Sequence, residues 1–125
     1  MSVHPTMEEG FLNNCQETLK IVHRKRVFNK ELKEDFKEKF EGIMKVLGET
    51  EAEGYKVEVE SYAGVRLLQH ESFDQELEEI EFKLEELNIQ QEDSLLILEE
   101  ELEKIGKELT GLFLKYRFTK VFFWE

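Results

Sequence analysis

A single cysteine, Cys15, in 125 residues excludes an internal disulfide, and a chain that cannot cross-link itself points to a reducing, intracellular compartment. Long apolar runs are missing too. None exceeds four residues, as in Leu95-Leu96-Ile97-Leu98, against the roughly 20 residues that a membrane span needs. The first residues carry neither the basic segment nor the apolar block of a secretory leader, and no N-x-S/T acceptor occurs. Glycines are too scattered for phosphate binding: Gly42, Gly48, Gly54 and Gly64 stand singly, so neither a dinucleotide fingerprint nor a Walker loop can be built.

Catalytic constellations are equally scarce. Cys15 and His23 lie eight residues apart, about 12 Å along a helix, too far for the imidazole to activate the thiol directly. Cys15 reads as a small core residue. A di-iron bundle requires Glu-x-x-His spacing, and none of His4, His23 or His70 has a glutamate three positions before it. No catalytic residue, metal ligand or cofactor is therefore expected, and the chain reads as non-enzymatic.

What is present in abundance is acid. The net charge is −12, and it is unevenly spread. Residues 1–50 hold nine acids and nine bases, residues 51–110 nineteen acids and five bases, and residues 111–125 three bases against Glu125. So negative a middle repels phosphate backbones and anionic membrane surfaces, which disfavours direct nucleic-acid or membrane binding. It favours association with basic protein partners. The basic run His23-Arg24-Lys25-Arg26 is short for a targeting or phosphate patch and is expected to neutralise the acidic helix within the chain.

Periodicity predicts an α+β fold, mostly helical, with long helices packed antiparallel as a helical hairpin, a small β-hairpin and a C-terminal strand. Residues 1–5 read as a flexible lead-in and 6–125 as a single domain. Thr6 with Glu9 has capping-box spacing. Over 6–48, Phe11, Leu12, Cys15, Leu19 and Val22, then Leu32, Phe36, Phe40, Ile43, Met44 and Leu47, share an apolar face. Asn29 offers a second N-cap, so this region is either one helix or two, and Gly48 is the expected stop. In 55–70, Tyr55-Lys-Val57-Glu-Val59-Glu alternates as a half-buried strand, with Tyr62-Ala63-Gly64 as a turn.

Ser72 and Gln75 suggest a capping box opening a long acidic helix over 72–111. Phe73, Leu77, Ile80, Leu84 and Leu87 step by threes and fours, as do Leu95, Leu98, Leu102, Ile105, Leu109 and Leu112. Between the two series the spacing slips by a stutter, so the helix either runs on or restarts with Asp93 or Ser94 as cap. The expected core comprises Leu19, Phe36, Phe40, Leu47, Leu77, Ile80, Leu84, Leu98, Leu102 and Ile105. At the seam, a parallel homodimer would set Glu76 against Glu81 and Lys83 against Asn88, neither an attractive opposite-charge pair, so that assembly is disfavoured. Lys30, Lys33, Lys37, Lys39 and Lys45 suit an antiparallel packing of the first region on the acidic helix instead.

The last ten residues, 116–125, hold five aromatic rings. Alternation of Leu112, Leu114, Tyr116, Phe118, Phe122 and Trp124 predicts a strand over 115–123. That much ring surface closes the domain's own core or docks on a partner. The function expected is a protein-interaction module, a helical adaptor or assembly subunit, using an apolar seam or this aromatic stretch. The alternative is a small acidic inhibitor, such as an immunity protein, antitoxin or nucleic-acid mimic, covering a basic face of its target. The candidate partner-binding residues are Phe118, Phe122, Phe123 and Trp124 for the first reading, and Glu78, Glu79, Glu85 and Glu86 for charge-led contact.

Overall fold

The computed structural model describes residues 6–49, 53–89 and 94–116. They form three helices: α1 (Met7–Glu49), α2 (Glu53–Ile89) and α3 (Leu95–Lys115). At 1.5 Å per residue, their 43, 37 and 21 residues reach about 64, 55 and 31 Å. The capping box at the start of α1 is formed, with the Thr6 N–H donating to Glu9 Oε2 (3.3 Å) and the Glu9 N–H to Thr6 Oγ1 (3.2 Å). Ser94 caps α3 by accepting from the Ile97 N–H, and Lys115 in its last turn complements the helix dipole.

α1 and α2 are antiparallel: Arg26 pairs with Glu81, Lys33 with Glu71 at 3.2 Å, and Phe36 lies 6.4 Å from Tyr62, ring to ring. α3 runs back along α2, held by Lys83–Glu108 (3.0 Å) and, at its end, Lys115–Glu76 (3.3 Å). Being half the length of α1, α3 covers only one part of the α1–α2 pair. There the three helices share one core, from Phe11, Cys15 and Val22 through Phe73, Leu77, Ile80, Leu84 and Leu87 to Leu98, Ile105, Leu109 and Leu112. Beyond Phe28 and Phe73 the first two helices continue as a two-helix extension, burying Phe36, Val59 and Ala63.

Of the expected core, Phe36, Leu77, Ile80, Leu84, Leu98 and Ile105 are buried, while Leu19, Phe40, Leu47 and Leu102 are half-buried. Cys15 is fully buried, and burial pushes its thiol pKa up. The antiparallel packing and the intramolecular use of the basic run are both seen: Arg26 pairs with Glu81, and His23 Nε2 lies 3.9 Å from the same carboxylate.

The β elements are a correction. Residues 55–70 are helical throughout, within α2, and no strand occurs among the described residues. Alternation in Tyr55-Lys-Val57-Glu-Val59 spreads its side chains around a helix: Val59 is buried while Val57 is 61% exposed. Strand preference is a weak, context-dependent bias, and burial against a long neighbouring helix overrides it. Gly64 makes no turn, and Ser72 with Gln75 lies inside α2 rather than at a helix start. Leu112 and Leu114 belong to α3, and of the predicted strand 115–123 residues 117–123 lie outside the described residues. The helix expected over 72–111 is two helices, ending at Ile89 and restarting after Ser94. α1 is uninterrupted, so Asn29 is not a cap, and it runs past Gly48 to Glu49.

Candidate functional site

Where α3 ends and the two-helix extension begins, two features meet. The first is a buried polar cluster. Asn29 of α1 and His70 of α2 are each 1% exposed. Asn29 Nδ2 donates to the His70 carbonyl (3.0 Å) and to Asp74 Oδ1 (2.9 Å), and Asn29 Oδ1 lies against His70 Nδ1. Because the amide oxygen can only accept, His70 carries its proton on Nδ1 and donates. Burial, followed by the charges of Arg66 and Lys33, lowers the His70 pKa to about 4 against an opposing pull from Asp74, so the ring is neutral at pH 7.

The second is the stripe of the extension that continues the line of α3, a candidate groove whose apolar side chains are interrupted by the Asp35–Lys39 ion pair (3.1 Å). At its lower end Phe73 of α2 meets Tyr116 edge to face (5.5 Å) and Phe113 (6.3 Å), and Lys25 of α1 sits 4.9 Å above the Phe113 ring. Helical geometry carries both stripes onward. Tyr62 lies eleven residues before Phe73, close to three turns, and Tyr55 a further seven. On α1, Leu32 follows Lys25 by about two turns and Ile43 by five. Phe36 and Tyr62 pack ring to ring between α1 and α2, Leu32 and Ile43 are half-buried, and Phe28 (49% exposed) and Val46 (61%) are exposed on α1.

Glu78, Glu79, Glu85 and Glu86 are all exposed on α2 in the three-helix section, away from the groove, and none has an ion-pair partner among the described residues. The acids that hold the helices together are others: Glu71, Glu76, Glu81 and Glu108. Phe118, Phe122, Phe123 and Trp124 lie outside the described residues. A shallow cleft of about 270 Å³ between α2 and α3 is lined by the ion pairs Lys83–Glu108 and Lys115–Glu76, which neutralise one another. Among the described residues, no three His, Cys, Asp or Glu side chains gather as a metal site requires, and no helix is long and apolar enough to cross a membrane.

Sequence reasoning missed the Asn29–His70 cluster and the groove, yet both leave a signal. Cys15, Val22, Asn29 and Phe36 are spaced by sevens, as are Ala63, His70, Leu77 and Leu84. Each polar residue thus occupies a seam position of its helix, the arrangement by which a lone asparagine fixes register in coiled coils.

The cross-helix ion pairs give a direct test of how α1 is held. Reversing Arg26 and Lys33 to Glu should lower stability by about 1–2 kcal/mol together at low salt, read by urea unfolding with circular dichroism. The loss should shrink as the screening length falls to about 3 Å at 1 M salt. A loss that salt does not change would mean that these pairs act through packing alone. Lys37, exposed and outside the described ion pairs, should respond little. Comparison with family models, with curated proteins and with solved structures gives no match, so the functional reading stands on this chain's own residues.

Proposed function

We propose that this chain is a non-enzymatic protein-interaction module, a helical adaptor or assembly subunit that takes an apolar helical segment of a protein partner into the groove of its two-helix extension. One observation carries the reading: α3 ends at Lys115, partway along the α1–α2 pair, and beyond it the extension exposes the large apolar side chains of Phe28, Val46 and Tyr62. A segment lying there would extend the three-helix packing by the same knobs-into-grooves contacts. Val65 (58% exposed), near the groove on α2, adds apolar surface of the kind that marks such sites. Residues 53–62 around it hold three acids and one base, which suits a segment with basic flanks.

The experiment is affinity capture by the whole chain and by a Phe28→Ser/Val46→Ser variant whose helicity is checked by circular dichroism. A protein recovered by the wild type should be lost from the folded variant. Equal recovery by both would remove the groove from the function. A second reading, the acidic inhibitor, draws support from the exposed and unpaired state of Glu78, Glu79, Glu85 and Glu86. The two separate on salt: charge-led association loses on-rate steeply as ionic strength rises, whereas binding in the apolar groove does not.

A further inference from the structure

We propose that the outer face of α2, from Leu68 to Ile89, is a docking stripe for a partner's amphipathic helix whose apolar seam is flanked by lysine and arginine. The inference goes beyond both readings above, since the stripe is turned away from the line of α3 and charge is not its only contact. Periodicity is the first argument. The seam of α2 steps by sevens through Ala63, His70, Leu77 and Leu84, and so do Leu68, Gln75, Phe82 and Ile89, five residues further on. Five residues turn a helix by about 140°, which carries these four side chains round to the exposed side of α2. That side ordinarily holds polar residues, yet Leu68 and Phe82 are each 62% exposed and Ile89 is 75% exposed. A stripe that keeps the seam's seven-residue period follows the left-handed course that a helix packed along it would take.

Charge is the second argument. Residues three and four apart on a helix are neighbours, so Phe82 has Glu78 and Glu79 one turn before it and Glu85 and Glu86 one turn after it. All four glutamates are exposed and outside the described ion pairs. The base nearest in sequence, Lys83, is taken up by Glu108 at 3.0 Å. An exposed ring framed by four carboxylates suits lysine and arginine side chains, which pair with the carboxylates and lay their cationic ends over the ring face. The same charges decide against a second copy as occupant. This stripe laid on itself, in either orientation, sets glutamate against glutamate. From Leu68 to Ile89 the stripe runs about 32 Å, which a partner helix of about three heptads covers.

The probe is a labelled synthetic helix of about three heptads, with leucine along its seam and lysine on both flanks. It is titrated with the whole chain and followed by fluorescence anisotropy, beside a scrambled peptide of identical composition. The patterned peptide should bind about tenfold more tightly than the scrambled one, and Phe82→Ser should remove that advantage with helicity unchanged. Glu78→Lys/Glu85→Lys should weaken the patterned peptide and strengthen the same peptide made with glutamate in place of lysine, which a misfolded variant would not do. Phe28→Ser/Val46→Ser should alter none of these affinities. No binding of either peptide, equal binding of both, or indifference to Phe82→Ser would overturn the proposal; the last two would leave only a charge-led surface. A loss caused by Phe28→Ser/Val46→Ser and not by Phe82→Ser would also overturn it, while supporting docking on the extension. A dimer mass in light scattering that Phe82→Ser reduces to a monomer would overturn it in favour of a second copy.

Discussion

Leu84→Ala should lower the stability of this chain by about 2–5 kcal/mol, measured by urea or guanidinium unfolding followed by circular dichroism. Leu84 is 0% exposed and lies in the core shared by the three helices, with Leu77 one heptad before it and Leu98 of α3 in the same cluster. Removing its side chain loses the transfer free energy of the buried carbons, about 25 cal/mol for each Å² of apolar area. The remaining cost depends on how far the walls can close. Three long helices tied by Arg26–Glu81, Lys83–Glu108 and Lys115–Glu76 leave little freedom to collapse, which places the site towards the upper part of that range. Leu96→Ala is the control, since Leu96 is 67% exposed on α3 and its truncation should stay within about 0.5 kcal/mol. A loss that small at Leu84 would mean that the shared core is not where the structure puts it.

Much of the three-helix section was legible because its seam is apolar at every turn. Phe73, Leu77, Ile80, Leu84 and Leu87 announce one face, and Leu98, Ile105, Leu109 and Leu112 another. The stutter between them marks the break that Ser94 caps. The extension was misread for two reasons: alternation over 55–60 imitates a strand, and the seam is interrupted on both helices. Its seam carries Asn29 on α1 and His70 on α2, so each apolar stripe appears to stop. The apparent stop at Asn29 looked like a helix cap, and the one before Phe73 looked like the boundary between a hairpin and a new helix. The two interruptions are one feature seen from both sides, since Asn29 and His70 satisfy each other's hydrogen bonds. A single polar residue in a stripe reads as an end; two that face one another read as a register pin.

The candidate groove was illegible for a different reason. Tyr55 and Tyr62 belong to the side of α2 that α3 covers further down, and nothing in local periodicity says that α3 stops at Lys115. Aromatic residues stand at both places, in 55–62 and in 116–125, and the alternation there predicts strands over 55–60 and 115–123 with Tyr62 in a turn. With 55–62 helical within α2, that stretch offers no strand edge.

The buried cluster should make this chain lose stability as pH falls from about 6.5 to about 4. His70 titrates near 6.5 when exposed in the unfolded chain and near 4 in the fold. Between those values the unfolded state holds a proton that the native state does not, so acid favours unfolding. The contribution is fully present above pH 6.5, and going from pH 7 to pH 5 should remove about 2 kcal/mol of it. Staying at pH 5 and above keeps clear of most carboxylate titration. The cause is structural: a charged ring would have to sit 1% exposed beside the positive charges of Arg66 and Lys33, with Asp74 giving only partial relief. Asn29→Leu alone should cost about 1–3 kcal/mol at pH 7, because it strands the His70 Nδ1–H and removes a donor from Asp74. Adding His70→Leu should recover most of that loss, since replacing both members of a buried polar pair by apolar groups can be close to neutral. The two substitutions are then strongly non-additive. The double variant should also be flat between pH 7 and pH 5, while the wild type falls. Parallel pH curves for the two proteins would show that some other group drives the acid sensitivity and that His70 is not held neutral by this cluster.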